Sequence, residues 1–401
     1  MKRLTITRTN GGVPKAAATD DHVSALVMYL PLDTVEELCQ AHPGCLTYLQ
    51  GCGAYAMLAG TLQEVEQAGI VPDSPQWELR YLYYQVSEVF RTNPSCRLYL
   101  MLAATKGETE ARYPEITALQ EWAGGRIRQM AVCDYYRKWS TTMAASVTGE
   151  AEGLELQGMP LSILYTCILD KATESYLADG GSRMSLVAGQ DLTRMSLYGL
   201  HDNESHQAAV YVACVGTVLG LLSRAKVHQC IAWVRQFDTG IECPGIFGME
   251  TREVGQAKLE LYDSRRLIYA AAETGQSGTY LNDSHTLDKP DSDYSAIECV
   301  RTMDKAVRGL RADITPELGG CVYLDADTGQ MQPYSVQHLQ NVASRTLEQM
   351  LKDGEISGYS VQIDAGQDVL STGRIDVVLK IVPVGIARNI SCTIGFAKSL
   401  E

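Results

Sequence analysis

An α/β body with a largely parallel sheet and flanking helices, followed by an α+β C-terminal domain, is the fold class this sequence predicts. Three observations carry that reading. Strand-like and helix-like segments alternate from residue 23 to residue 234, as expected for parallel strands joined by covering helices. Two amphipathic helical stretches then follow one another between residues 295 and 352. Finally, the stretch from Gly358 to Ser399 contains three segments that alternate apolar and polar residues, the period of a half-buried strand.

In chain order, Val23–Leu30 reads as a buried strand, and Asp33–Ala41 as a short amphipathic helix capped by Asp33 or Thr34. Thr61-Leu62-Gln63-Glu64 is a capping box, and Gly69 stops the helix it opens. Ser74-Pro75 opens a longer helix with Leu79, Leu82, Val86 and Val89 on one face, closed by Asn93-Pro94. There follow a strand at Arg97–Ala103, a helix at Pro114–Ala123 and a strand at Ile127–Cys133. Next come a helix at Leu161–Leu177, a strand at Met184–Ala188, a helix over 206–225 and a strand at Gln229–Val234. Gly216 and Gly220, four residues apart, let that last helix pack closely in a core. Gly275–Gly278 and Asn282–Ser284 mark a hairpin or loop, and the polar run 288–293 is the linker candidate, with a domain boundary near 290. Helices at Ser295–Ala312 and Val336–Lys352 follow, the second ended by Gly354. The resulting organisation is an N-terminal strand arm and linker (1–20), an α/β body with room for an outward-facing insertion (21–290) and a C-terminal domain (291–401).

The candidate functional residues lie in the terminal strands. Tyr359, Val361 and Ile363 face one way along the first, and Ile375, Val377, Leu379 and Ile381 along the second, which Pro383 and Gly385 stop. Ile390, Cys392, Ile394 and Phe396 line the third. A further strand, with Leu4 and Ile6 on one face, sits at the N-terminus ahead of Gly11-Gly12 and Pro14. Such terminal strands either pair within the molecule or complete the sheet of another copy.

A formal net charge of -14 and a pI near 5.0 argue against nucleic acid or an anionic membrane as partner, since counterion release needs clustered Lys and Arg. Twelve cysteines with irregular spacing and no Cys-x-x-Cys pair read as reduced thiols. No secretory signal is read at the start, and the apolar stretch 208–222 is too short to span a bilayer. No dinucleotide-binding, Walker or nucleophile-elbow glycine motif is present, so no catalytic residue, cofactor or metal is expected. His201-Asp202-Asn203-Glu204-Ser205-His206 groups imidazoles and carboxylates, but its spacing reads as a polar cap on the following helix. After the linker, Arg301, Lys305 and Arg308 form a basic ridge opposite the stripe Val300, Met303, Val307 and Leu310.

Three groups of residues resemble a known family. Gly354–Asp364, Gln367–Thr372 and Ile381–Ile390 look like the C-terminal domain of contractile tail sheath proteins. Thr7–Gly12 with Asp21–Ser24 is similar to the start of a phage-type branch of that family. Gly278–Asp283, Ser292–Tyr294, Arg301 and Lys305-Ala306 resemble the same branch, whereas the segment from about 35 to 60 shows no match to it, being either divergent or specific to this protein. The resemblance implies a non-enzymatic subunit, folded in the bacterial cytoplasm, that stacks in sixfold rings around an inner tube within a phage virion tail or phage-like injection particle. It implies strand arms exchanged between copies, and baseplate and tail-terminator proteins as further partners. It also makes the basic ridge a candidate tube contact, the alternative being a solvated helix face. Two other classes compete with it: a soluble oligomeric α/β enzyme with an unrecognised site, and a static tube or baseplate component.

Overall fold

The computed structural model describes residues 20–105, 107, 112–169, 181–200 and 212–397. Its body begins with β1 (Val23–Leu30), α1 (Leu32–Ala41), β2 (Thr47–Leu49), β3 (Ala54–Ala59), α2 (Leu62–Gln67), α3 (Trp77–Thr92) and β4 (Arg97–Ala104). It continues through α4 (Pro114–Trp122), β5 (Gln129–Lys138), α5 (Thr141–Leu156), β6 (Ser162–Ile168), β7 (Met184–Val187), β8 (Gly189–Asp191), α6 (Leu192–Leu197) and α7 (Val215–Arg224). The small elements β9 (Pro244–Ile246), β10 (Met249–Glu250), α8 (Gln256–Ser264), β11 (Leu267–Ile268), β12 (Ala270–Ala272) and β13 (Thr279–Leu281) complete it.

One eight-stranded sheet in the order β11-β7-β6-β5-β1-β4-β3-β2 organises these elements. The six strands from β11 to β4 are parallel, and β3 and β2 add an antiparallel edge. Both faces of the central strands are covered, so all eight residues of β1 are buried and no alternation is left to read. Leu26, Met28 and Leu30 meet Leu82, Val86 and Val89 of α3 and Val218 and Leu222 of α7 in one core. Ala25, Val27 and Tyr29 meet Ile116 and Leu119 of α4 and Val147 and Ala151 of α5 in the other.

Helices α3 and α7 cross at the two glycines. A Cβ on Gly216 would collide with the Gln85 carbonyl, and one on Gly220 would lie 2.8 Å from the Val89 carbonyl oxygen. The Gln85 side chain clamps this crossing: its amide donates to Ala213 O, and its oxygen accepts from Gly216 N, both at 2.7 Å.

Several expectations need correction. The first helix starts one residue early, at Leu32 after Pro31, and neither Asp33 nor Thr34 caps it. Leu161–Ile168 is not helix but largely β6, a strand buried on both faces; the remainder of the expected helix, 170–177, lies outside the described residues. Helix α5 replaces it upstream, opened by Ser140 accepting from Met143 N at 3.2 Å. The helix expected over 206–225 begins only at Val215; residues 206–211, with His201 and His206, fall outside the described residues. Gln229–Val234 forms consecutive turns with no ladder. The capping box at Thr61 and Glu64 is present, with Glu64 N donating to Thr61 Oγ1 at 3.3 Å and Gly60 N to Glu64 Oε2 at 2.8 Å.

The C-terminal part consists of α9 (Ile297–Ile314), α10 (Pro333–Lys352), β14 (Ile356–Ile363), the short α11 (Val369–Thr372) and β15 (Val377–Pro383). The run 288–293 is a loop with its own hydrogen bond, Ser292 Oγ donating to Asp288 Oδ2 at 2.6 Å. Helix α9 itself joins the two parts, with Ile297 in the first body core and Ala306 in a separate small core with Leu347, Met350 and Ile356.

Candidate assembly interface

Strands β14 and β15 form a two-stranded antiparallel sheet with register Val361↔Leu379 and Ile363↔Val377. Tyr359, Val361, Leu379 and Ile381 turn one face onto the small core, while Val378 and Val382 on the other face stand in solvent. Ile375 precedes the ladder. Among the described residues, neither outer edge of this pair has a strand partner. A lone two-stranded sheet is marginal in water, and its free edges present rows of unpaired N–H and C=O groups that template a further strand.

The third expected strand is not part of this sheet. Residues 390–396 join no ladder among the described residues, and Ile390, Cys392, Ile394 and Phe396 are all exposed, Ile394 to 97%. Alternating apolar residues usually mark a half-buried strand, so this segment has the pattern without the surface to satisfy it. Leu4 and Ile6 lie outside the described residues.

The basic ridge corrects a second expectation. It faces the body, not solvent. Arg301 is 2% exposed, and among the described residues only its Nη2 finds acceptors, Ala225 O at 3.2 Å and Asp21 O at 3.5 Å. Burial draws this guanidinium down to about 10, although Asp21, Glu298, Asp304 and Glu355 act in the opposite sense. Lys305 Nζ donates to Asp21 Oδ2 at 2.8 Å and to Glu355 Oε1 at 2.7 Å. Burial opposes the ammonium charge, but these two carboxylates outweigh it and raise the Lys305 pKa. Burial likewise opposes the Asp21 carboxylate, and Lys305 reverses that and holds it below its usual range. Arg308 donates to Pro160 O at 3.1 Å. Two further acids on this helix take body partners: Arg183 bonds both oxygens of Asp304 at 2.6 Å, and Glu298 Oε2 accepts from Ser284 Oγ at 2.5 Å. A charged face opposite an apolar stripe fits a polar domain junction as well as it fits solvent, and sequence spacing does not separate the two.

The ridge thus gathers the first described residues, the start of β14 and the segment after β15 around α9. Asp21, the second described residue, is held on Lys305, beside Glu355 and the start of β14. In the ladder, Ile356 pairs with Pro383, so β15 ends at that same side. Arg388 then ties the departing C-terminal chain to Asp283, Ser284 and Glu298, and Glu298 lies on the α9 face that carries Arg301 and Lys305. Sequence reasoning missed these acidic partners. The available signal was Arg388 itself, the one charged residue between Val384 and Ile390.

Elsewhere, two open depressions of about 580 and 530 Å³ are lined by Asp191, Arg194 and Glu242, and by Asp325, Met331 and Gln337. Asp191 is pushed up to about 6 by burial, and its carboxylate caps α6 by accepting from Arg194 N at 2.9 Å. Among the described residues no group of three side chains has metal-ligand geometry, and no helix is long and apolar enough to cross a membrane.

Residues 293–401 match the family described as DUF2586, C-terminal domain. Comparison with curated protein sequences gives no match. Solved structures similar to this chain include the anti-feeding prophage helical sheath in its contracted state, at 13% identity and a TM-score of 0.58, covering 98% of this chain and 100% of that one. A chain in the sixfold-symmetrised baseplate of the same particle is 14% identical with a TM-score of 0.58, covering 98% of each chain. A third, from the contracted PVC sheath complex of an extracellular contractile injection system, is 11% identical with a TM-score of 0.56 over 99% of each chain. From end to end, then, this chain has the fold seen in the contracted sheaths of contractile injection systems.

Proposed function

We propose that this chain is the structural sheath subunit of a contractile injection particle, a phage tail or a phage-like device. The carrying observation is the whole-length likeness to two contracted sheaths, in which neither chain leaves a large unmatched part. Among the described residues, the open edges of β14 and β15 and the exposed, unladdered 390–396 segment support it independently. Subunits stack as rings around an inner tube, attach to a baseplate and a tail terminator, and contract to drive the tube through a target envelope.

Strands carrying Leu4 and Ile6 at one end, and Ile390, Cys392, Ile394 and Phe396 at the other, extend the Val361/Leu379 sheet of neighbouring copies. The units are an arm (1–20), a body (21–290) and a C-terminal domain (291–401). Assembly takes place in the bacterial cytoplasm, and the role is mechanical, not catalytic. A net hydrogen bond contributes about 0.5–1.5 kcal/mol, so a donated strand of several residues is a firm tether between copies.

Electron microscopy of the purified protein tests this reading. Long striated cylinders are expected, and compact closed oligomers alone would refute it. Deleting residues 1–12 should leave a folded subunit, by circular dichroism, that no longer forms long polymers.

A further inference from the structure

Arg388 stands alone as a charge in the run Val384-Gly385-Ile386-Ala387-Arg388-Asn389-Ile390. The chain leaves β15 at Pro383 and meets the body five residues later. There Arg388 Nε donates to Asp283 Oδ1 and Oδ2 at 3.0 and 2.8 Å, and Nη2 donates to Glu298 Oε1 and, at 3.4 Å, to Ser284 Oγ. The receiving site is built into the fold. Glu298 has a side chain only 4% exposed in the first turn of α9, and Asp283 Oδ1 also accepts from Ser284 N at 2.7 Å. Burial opposes the Arg388 charge, but Glu298 and Asp283 outweigh it and raise its pKa. Beyond Arg388 the described chain joins no ladder, and Ile390 and Ile394 are exposed.

We propose that the Arg388 cluster is the fixed pivot of the C-terminal arm, from which residues 389–397 are presented to a second copy of this chain. The proposal rests on the strand-exchange reading above. Without the pivot the free chain would start after Pro383; with it, the free chain starts at Asn389, and residues 389–397 reach at most about 30 Å. A shorter, directed tether raises the effective concentration of the strand at its acceptor edge. The forked guanidinium suits the task because it engages two separate carboxylates at once, which a lysine ammonium does with poorer geometry. Glu298 and Asp283 are largely shielded from water, so salt screens the cluster less than it would a surface pair.

The test uses the full chain with Arg388→Ala, with Arg388→Lys and lacking residues 389–401. Critical concentration for polymer is read by sedimentation, and melting by circular dichroism of the dilute subunit. Arg388→Ala should raise the critical concentration by about tenfold or more, the factor for freeing even one backbone residue. Arg388→Lys should restore part of the loss, and the deletion should abolish polymer. Arg388→Ala polymerising at the parent's critical concentration, while the deletion abolishes polymer, overturns the pivot. Polymer from the deletion variant at the parent's concentration overturns strand exchange itself. Should Arg388→Ala fail to fold, Arg388→Lys decides: a critical concentration equal to the parent's overturns the pivot, and a raised one at an unchanged melting temperature supports it.

Discussion

Replacing Ile394 by proline distinguishes a strand that serves its own subunit from one lent to another. Ile394 is 97% exposed and belongs to no ladder among the described residues, so the isolated subunit loses neither a sheet hydrogen bond nor a packed side chain seen there. Its stability should move by less than about 0.5 kcal/mol, which shifts melting by under about 2 °C in a chain of this size. In an assembled lattice the same change deletes one ladder donor, about 0.5–1.5 kcal/mol, and removes an apolar side chain whose burial contributes about 1.5–3 kcal/mol. The sum, about 2–4.5 kcal/mol per contact, corresponds to a rise of roughly 30- to 2000-fold in critical concentration. Ile381→Pro is the counterpart, because Ile381 pairs with Tyr359 and packs on the small C-terminal core. It should lower melting of the dilute subunit. Sedimentation and circular dichroism on both variants decide the matter. An Ile394→Pro subunit that melts several degrees lower yet polymerises like the parent would refute the reasoning.

Three other outcomes are expected. Gly220→Ala forces α7 away from Val89 and Thr92 of α3; overpacking of about 1–3 kcal/mol against a helix-propensity gain of about 1 kcal/mol should lower melting by up to about 8 °C. Arg301→Glu places an acid among Asp21, Glu298, Asp304 and Glu355, and should cost more than about 3 kcal/mol in urea unfolding, where a solvent-facing ridge would tolerate it. For the Lys305 junction, Asp21 is depressed below 3.8, so its contribution is present above that pH and lost as pH falls through its folded value. Lys305 is raised above 10.5, so its contribution is present below that pH and lost as pH rises through its folded value. Lys305→Met should therefore flatten the loss of urea stability below pH 3.8 relative to the parent. Identical acid limbs would contradict the assignment.

Much of the body was legible because its segments end on residues with one physical meaning. Val23–Leu30 was read to the residue, Thr61 and Glu64 make their capping box, and Gly69 and Gly354 adopt the left-handed backbone that stops a helix. Leu161–Ile168 misled because a parallel strand buried on both faces shows no period, and an unbroken apolar run fits a buried helix equally well. Helix α5 was missed because Thr141, Thr142, Gly149 and Gly153 dilute its propensity, which tertiary packing through Val147 and Ala151 overrides. At the interface, the terminal pattern correctly marked β14 and β15 as strands. The destination of Arg301 and Lys305 depended on Asp21, about 280 residues away, a pairing that no local spacing encodes.

The shared use of α9 has a mechanical consequence. Arg388 grips Glu298 and Lys305 grips Asp21, seven residues apart on one helix, so the two chain exits are fastened about 10 Å from each other. In a lattice linked through both arms, tension entering at one terminus and leaving at the other runs along two turns of α9. Asp21 lies two residues before β1, so the same load also reaches the foot of the eight-stranded sheet's central strand.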